Sequence, residues 1–144
     1  MKKQIIYFIA FGCIGVTTEI FFTSISDAII NYFNNTNIDW RLIGKSYAWM
    51  FFIYGLAGIL FPLVFSKLKS LQLILRLLIY VSVIFGIEYL SGWLLDIFTG
   101  SCPWFYTSKY AIHGYIRLDY APFWAMFGFM LEKIYLFLEK HFRI

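Results

Sequence analysis

The sequence predicts an all-α integral membrane protein whose four transmembrane helices form an antiparallel bundle. Hydrophobic residues make up 61% of its 144 residues, and only 14% are charged. Its mean hydropathy is +0.73. A typical soluble domain has roughly 25% charged residues, and a chain this small has too much surface for its volume to bury so many apolar side chains. The composition therefore excludes a soluble enzyme, a nucleic-acid-binding protein and a disordered chain.

Four apolar segments reach, or nearly reach, the ~20 residues that a helix needs to cross ~30 Å of hydrocarbon. They are approximately residues 5–30, 47–65, 71–98 and 118–138. The first and third are longer than the hydrocarbon requires, so we expect them to tilt or protrude. Pro122 falls in the first turn of the fourth segment, where a missing N–H group costs little. We therefore treat residues 1–144 as a single membrane domain.

The basic residues predict the orientation of the spans, because cytoplasmic loops carry an excess of Lys and Arg. Four spans place both termini on one side, which carries Lys2, Lys3, Lys67, Lys69, Arg76, Lys133, Lys140 and Arg143. The other side carries Arg41, Lys45, Lys109 and Arg117. Both termini are thus predicted to be cytoplasmic, with loops 31–46 and 99–117 outside. The first segment is too long for a signal peptide and lacks a cleavage site. We expect a protein of the bacterial cytoplasmic membrane.

The two halves of the chain share a pattern of polar and small residues. Glu19 and Asp27 recur as Glu88 and Asp96 at an offset of 69 residues. The second and fourth segments match at an offset of 73, through Tyr47, Ala48 and Gly55 against Tyr120, Ala121 and Gly128. This pattern favours a parallel repeat of two-helix units, residues 1–70 and 71–144. Chance matching in an apolar sequence of low diversity is the alternative.

Glu19 and Glu88 fall inside apolar segments and are the first candidate functional residues. A charged residue at the centre of a bilayer costs ~2.5–3.5 kcal/mol, so such residues face the protein interior or water. A buried carboxylate pair would bind a proton, a cation or a cationic group. The alternative is a structural role, in which hydrogen bonds to Tyr54, Tyr89 or Trp93 lock the bundle.

The second candidate region is the outer loop and the start of the fourth segment. Arg117 could hold a phosphate or carboxylate group, His113 could transfer protons near neutral pH, and Asp119 adds a carboxylate. Trp104 and Tyr106 complete this group of aromatic and charged residues. The alternatives are ordinary ones: aromatic anchors at the interface, a helix cap at Asp119 and a snorkelling arginine.

Catalytic and cofactor motifs are not found in the sequence. It has no metal-ligand spacing, no hydrolase elbow and no nucleotide-binding loop. We therefore predict no metal and no cofactor, and we favour a protein that is not an enzyme. Cys13 and Cys102 are expected to be unpaired, because they fall at different depths along the chain's path through the membrane.

Several short motifs resemble those of one protein family. They are Glu19 after a Gly-containing apolar run, Ser46-Tyr47-Ala48-Trp49, Phe52-Ile53-Tyr54-Gly55, Glu88-x-x-x-Gly92, Cys102-Pro103-Trp104-x-Tyr106 and Gly114-x-Ile116-x-Leu118-Asp119-Tyr120 followed by Trp124. From about residue 10 to 133 the chain resembles the CmpB-like family of ABC-transporter type IV permeases, and it is similar to the animal transmembrane protein 229 family. The resemblance implies a small multi-span permease in which Glu19, Glu88 and Asp119 matter more than His113.

The predicted function is a transporter or permease component that binds a proton, a cation or a cationic group. The predicted binding residues are Glu19, Glu88, Trp104, Tyr106, His113, Arg117 and Asp119. One alternative is a membrane-embedded enzyme or carrier acting on lipid or isoprenoid headgroups, and another is a structural assembly subunit. The expected partners are the lipid bilayer, further copies of the chain and an unknown ion, small molecule or lipid. We expect no nucleic acid, and the sequence itself does not indicate an ATPase partner.

Overall fold

A computed structural model describes residues 2–34, 41 and 43–141 of the chain, and it confirms the all-α membrane class. Its four helices are α1 (Lys2–Phe33), α2 (Ala48–Leu68), α3 (Leu73–Thr99) and α4 (Ala121–His141). A 3₁₀ turn, Leu118–Tyr120, leads into α4. Each of the four helices, the last counted from Leu118, is long and apolar enough to cross a membrane. Arg143, which contributed to the predicted orientation, lies outside the described residues.

The chain forms two compact units, Met1–Phe61 and Pro62–Arg143. In the first unit, glycines allow α1 and α2 to pack closely. Gly55 lies against the ring of Phe8, and a Cβ atom on Gly58 would come within 2.5 Å of the Cβ atom of Phe11. Small residues at such crossings are the usual means by which membrane helices pack. Phe11, only 2% exposed, lies at the centre of this packing.

In the second unit α3 packs along α4. Gly128 of α4 lies against Tyr80 of α3, where an added Cβ atom would be 2.7 Å from the Tyr80 Cβ atom. The last turns of α2 also belong to this unit, and Phe65 there packs edge-on against Tyr135 at 5.3 Å between ring centroids. Helix α3 ends at Gly100, whose positive φ of 76° places its N–H group on the carbonyl of Asp96. A glycine in this conformation is a common helix terminator.

A short β-hairpin, which the sequence analysis did not predict, lies between α3 and α4. Strands β1 (Ala111–Ile112) and β2 (Ile116–Arg117) pair antiparallel around a three-residue turn. The turn needs two consecutive positive φ angles, 52° at His113 and 79° at Gly114. The backbone N–H of Tyr106 donates to the carbonyl of Gly114 at 2.9 Å, which ties the preceding loop to the hairpin.

The internal repeat is not confirmed and stays a prediction. The two compact units divide at residue 61, inside α2, and not at residue 70. Both units place a glycine of the second helix against an aromatic ring of the first. The paired positions differ, however, since Gly55 lies on Phe8 whereas Gly128 lies on Tyr80.

Candidate functional site

Glu19 and Glu88 lie at membrane depth along their helices. At ~1.5 Å per residue, α1 is ~48 Å long and α3 ~40 Å, whereas the hydrocarbon layer is ~30 Å thick. Glu88 is ~22 Å from the start of α3 and ~16 Å from its end. If α3 crosses the membrane upright, Glu88 stays within the hydrocarbon layer whichever end of the helix extends beyond that layer. The same holds for Glu19 in α1.

Glu19 is held by two hydroxyl groups of its own unit. Ser46 lies two residues before α2, and its Oγ atom donates to Oε2 of Glu19 at 2.9 Å. The hydroxyl of Tyr54 donates to the same oxygen at 3.3 Å. Tyr54 reaches this position because Gly15 of α1, one turn before Glu19, leaves room for its ring. The Glu19 carboxylate, half-buried, therefore has neutral donors and no cationic partner among the described residues.

Glu88 is also held by a hydroxyl group, and only on one oxygen. The Tyr106 hydroxyl donates to Oε1 at 2.8 Å. The Oε2 atom is buried and makes no hydrogen bond. The indole of Trp124, on α4, lies close to the carboxyl group, yet its Nε1–H is likewise buried without a partner that meets hydrogen-bond geometry. A buried donor and a buried acceptor thus lie near each other without bonding.

The segment after α3 folds back onto the last turns of that helix. Cys102 Sγ and the Trp104 ring approach within 3.2–3.4 Å of where a Cβ atom on Gly92 would lie. The Trp104 indole donates to the carbonyl of Tyr115 at 3.1 Å. The Tyr115 hydroxyl donates to Oδ2 of Asp96 at 2.8 Å, and this hydrogen bond raises the pKa of Tyr115. Position 92 must be small for the segment to lie this close.

His113 occupies the exposed tip of the hairpin. Its Nδ1 atom lies 2.7 Å from the hydroxyl of Tyr89, and the Tyr89 ring packs edge-on against Tyr115 at 5.4 Å. The histidine therefore contributes to the attachment of the hairpin to α3. Its positive φ is a backbone requirement of the turn, independent of any chemistry of the ring.

Arg117 and Asp119 bind each other. The Nε of Arg117 donates to Oδ1 of Asp119 at 2.8 Å, and Nη2 donates to Oδ2 at 2.7 Å. The guanidinium also lies over the ring of Tyr120 at 4.5 Å. The carboxylate raises the pKa of Arg117. Because Asp119 already neutralises this cation, Arg117 is poorly placed to hold a phosphate group.

The sequence analysis missed a closed ion pair at the other end of the second unit. Glu132 of α4 is 2% exposed, and it accepts hydrogen bonds from Nε and Nη2 of Arg76 at 3.1 and 3.0 Å. The Tyr80 hydroxyl donates to it at 2.8 Å. The sequence analysis uses Arg76 only to predict the orientation. Its pairing could have been inferred, because opposite charges within two antiparallel apolar helices are expected to form an ion pair.

The predicted site residues thus fall into separate groups. Glu88 lies on α3, and Tyr106 and Trp104 of the following loop contact that helix. The Arg117–Asp119 pair lies next to this group, because the ring of Tyr120 packs edge-on against Tyr106 at 5.7 Å between ring centroids. Glu19 belongs to the first unit. The buried glutamate pair is not confirmed, since both residues are half-buried and Glu132 is the buried glutamate. Within the described residues, no three His, Cys, Asp or Glu side chains gather as a metal site would require.

The family model described as "Putative ABC-transporter type IV" matches residues 6–143. The chain belongs to this family. The match confirms the resemblance seen in the sequence, and it indicates an integral membrane component of a transporter. No solved structure matches the chain.

Proposed function

We propose that this protein is a transporter component that binds a proton or a cation at Glu19 and Glu88. The supporting observation is a contrast among its intramembrane glutamates. Glu132 is neutralised by Arg76, whereas Glu19 and Glu88 receive only hydroxyl groups. The closed pair of Glu132 with Arg76 fits a structural role, and Glu19 and Glu88 have no such arginine among the described residues.

The energies support this distinction. Removing an ion from water into protein costs several kcal/mol even after relaxation, and a hydrogen bond to a charged group contributes only about 1.5–3 kcal/mol. The single hydroxyl donor of Glu88 offsets only part of that cost, and the two donors of Glu19 offset about 3–6 kcal/mol of it. A bound proton or cation removes the uncompensated charge, so each carboxylate is suited to bind and release a proton or a cation.

The two alternative functions have less support. A lipid enzyme would use Arg117 to hold phosphate, but that cation is already paired with Asp119. The structural alternative names Tyr54, Tyr89 or Trp93 as partners. Tyr54 does donate to Glu19, whereas Oε2 of Glu88 has no hydrogen bond. Self-association stays a prediction, and the sequence does not indicate an ATPase partner.

Carbodiimide labelling tests the proposal, because dicyclohexylcarbodiimide reacts with protonated carboxyl groups in apolar surroundings. The purified protein in liposomes is labelled, digested and analysed by mass spectrometry. We expect modification of Glu19 and Glu88 but not of Glu132, whose carboxylate is paired with Arg76. Glu132 serves as a control within the same molecule. Equal labelling of all three glutamates would contradict the proposed contrast.

Proton or cation flux into the same liposomes supplies the functional measurement. Glu88→Gln and Glu19→Gln keep the size of the side chain and an acceptor oxygen but cannot carry the charge, so each should abolish flux. Asp27→Asn, which changes an exposed carboxylate of α1, is the matched control and should leave flux unchanged. Flux that survives the double glutamine variant would overturn the proposal.

A further inference from the structure

Oxygen atoms are concentrated around Glu19 and the following turn of α1. Thr23 Oγ1 lies 3.2 Å from the carbonyl oxygen of Ile20 and 3.3 Å from that of Lys45. Ser46 Oγ and the Tyr54 hydroxyl lie 2.9 and 3.3 Å from Oε2 of Glu19. A carboxylate, three hydroxyls and two carbonyls therefore line one short stretch of the first unit.

The single Thr23 proton serves two carbonyl acceptors. Its hydroxyl has one proton, shared between the carbonyls of Ile20 and Lys45 at 3.2 and 3.3 Å, and the Lys45 N–H donates to the same hydroxyl oxygen at 2.9 Å. Each carbonyl therefore receives only a long, divided hydrogen bond from Thr23. A positive ion beside these oxygens would be attracted to both carbonyls.

The segment before α2 places the Lys45 carbonyl next to the Thr23 hydroxyl. Residues 43–47 are not helical, so the Lys45 carbonyl has no partner within a helix. Gly44 lies so close to α1 that a Cβ atom there would collide with the Ile20 carbonyl and come within 2.8 Å of the Ile20 Cα atom. In membrane transporters, carbonyls of unwound, non-helical backbone coordinate Na⁺.

The surroundings of Glu88 differ in their chemistry. Its neighbours are the rings of Tyr106 and Trp124, and the indole offers an N–H donor, which repels a metal ion. The Glu19 cluster instead supplies hard oxygen ligands, which suit alkali and alkaline-earth cations. It has a single carboxylate with otherwise neutral ligands, so one positive charge balances it.

We infer that the Glu19 cluster binds a small monovalent inorganic cation of the Na⁺ type. The ligands are the Glu19 carboxylate, the hydroxyls of Thr23 and Ser46, and the Ile20 and Lys45 carbonyls. The inference deepens the proposed function and rests on it, because it assigns a particular ion to one of the two glutamates.

Protection from carbodiimide tests the inference on the full chain in liposomes. NaCl is the probe, and choline chloride of equal ionic strength is the control. We expect Na⁺ to slow the labelling of Glu19 about tenfold at ten times its dissociation constant, and to leave the labelling of Glu88 in the same molecules unchanged. Equal labelling rates of Glu19 in both salts would overturn the inference.

Variants separate ion binding from folding. Thr23→Val and Ser46→Ala each remove a ligand and should abolish protection by Na⁺ while Glu19 still reacts. Thr18→Val is the matched control, because the Thr18 hydroxyl bonds only the Ile14 carbonyl of its own helix at 2.8 Å. Protection that survives Thr23→Val combined with Ser46→Ala would also overturn the inference.

The two proposals can fail separately. If Na⁺ gives no protection but Glu19 and Glu88 react and Glu132 does not, the ion assignment is wrong and the proposed function stands. If neither Glu19 nor Glu88 reacts and flux is independent of both, the proposed function fails as well.

Discussion

The carboxylate of Glu132 and the guanidinium of Arg76 form a two-point ion pair between α4 and α3, with hydrogen bonds of 3.1 and 3.0 Å. The side chains are 3% and 17% exposed. A third donor, the Tyr80 hydroxyl, completes the carboxylate at 2.8 Å. The Glu132 carboxylate is thus shielded from solvent, and both of its oxygens accept hydrogen bonds, unlike the carboxylates of Glu19 and Glu88.

Breaking this pair should destabilise the protein strongly. Glu132→Gln leaves the Arg76 cation without its counter-charge, which typically costs about 3–5 kcal/mol. Replacing both partners at once, with Arg76→Met and Glu132→Leu, should cost much less because no charge remains. Denaturant unfolding in detergent micelles gives the free energies of unfolding of the wild type and of both variants. A Glu132→Gln protein that unfolds like wild type would show that the pair contributes nothing.

His113 should be replaceable by a residue that tolerates its backbone conformation. Its φ of 52° suits Asn, whereas a β-branched residue in this region costs about 1–3 kcal/mol. We expect His113→Asn to keep near-wild-type stability and flux, and His113→Val to lose stability. Both are measured by thermal unfolding and liposome flux. Loss of flux in a stable His113→Asn protein would instead assign the imidazole a chemical role.

The Cys102 thiol should report on the attachment of the loop to α3. Burial raises its pKa, and the nearby carboxylates of Asp96 and Glu88 raise it further. The thiolate is the reactive form, so a raised pKa leaves less of it at neutral pH and moves alkylation to more alkaline conditions. In a Cys13→Ser background, we expect slow maleimide labelling that accelerates only above the pH at which an ordinary thiol reacts.

A variant of the hairpin should release that thiol. Gly114→Ala imposes a Cβ atom on a φ of 79° and places it 2.5 Å from Cζ of Phe105. We expect the labelling of Cys102 to become faster in this variant, with a pH profile closer to that of a free thiol. An unchanged rate would mean that the hairpin does not hold the loop in place.

Close packing in the first unit should make Gly58 intolerant of substitution. Gly58→Ala forces its methyl group within 2.5 Å of the Phe11 Cβ atom, and overpacking of this kind costs about 1–3 kcal/mol. Gly86→Ala is the matched control, because nothing lies within 4 Å of the added Cβ atom. Unfolding in micelles should show a loss for the first variant and none for the second.

The helices were predictable because length and apolar composition alone determine them. The predicted third span, 71–98, differs by only a residue or two at each end from α3, Leu73–Thr99. The hairpin was not predictable, because its strands are two residues long and its turn carries His at one of the positions where Gly or Asn is typical.

The candidate residues are conspicuous in the sequence, but their hydrogen-bond partners are not. Composition makes a carboxylate such as Glu88 conspicuous in an apolar helix, yet nothing in the local sequence pairs it with Tyr106, 18 residues later. Arg76 and Glu132 are separated by 56 residues, and a count of charges near span ends treats each one alone. Hydrogen-bond partners across a fold depend on packing, which the hydrophobic pattern does not determine.

The partners of the acidic residues in α1 and α3 all come later in the chain than the acids themselves. Ser46 and Tyr54 follow Glu19, and Tyr106 and Tyr115 follow Glu88 and Asp96. During synthesis, therefore, α3 emerges with Glu88 unsatisfied at membrane depth, which costs a few kcal/mol in lipid. Insertion of α3 becomes more favourable once the tyrosines that follow it have been synthesised. Biogenesis of the second half is thus expected to proceed as one joint insertion of α3, the hairpin and α4.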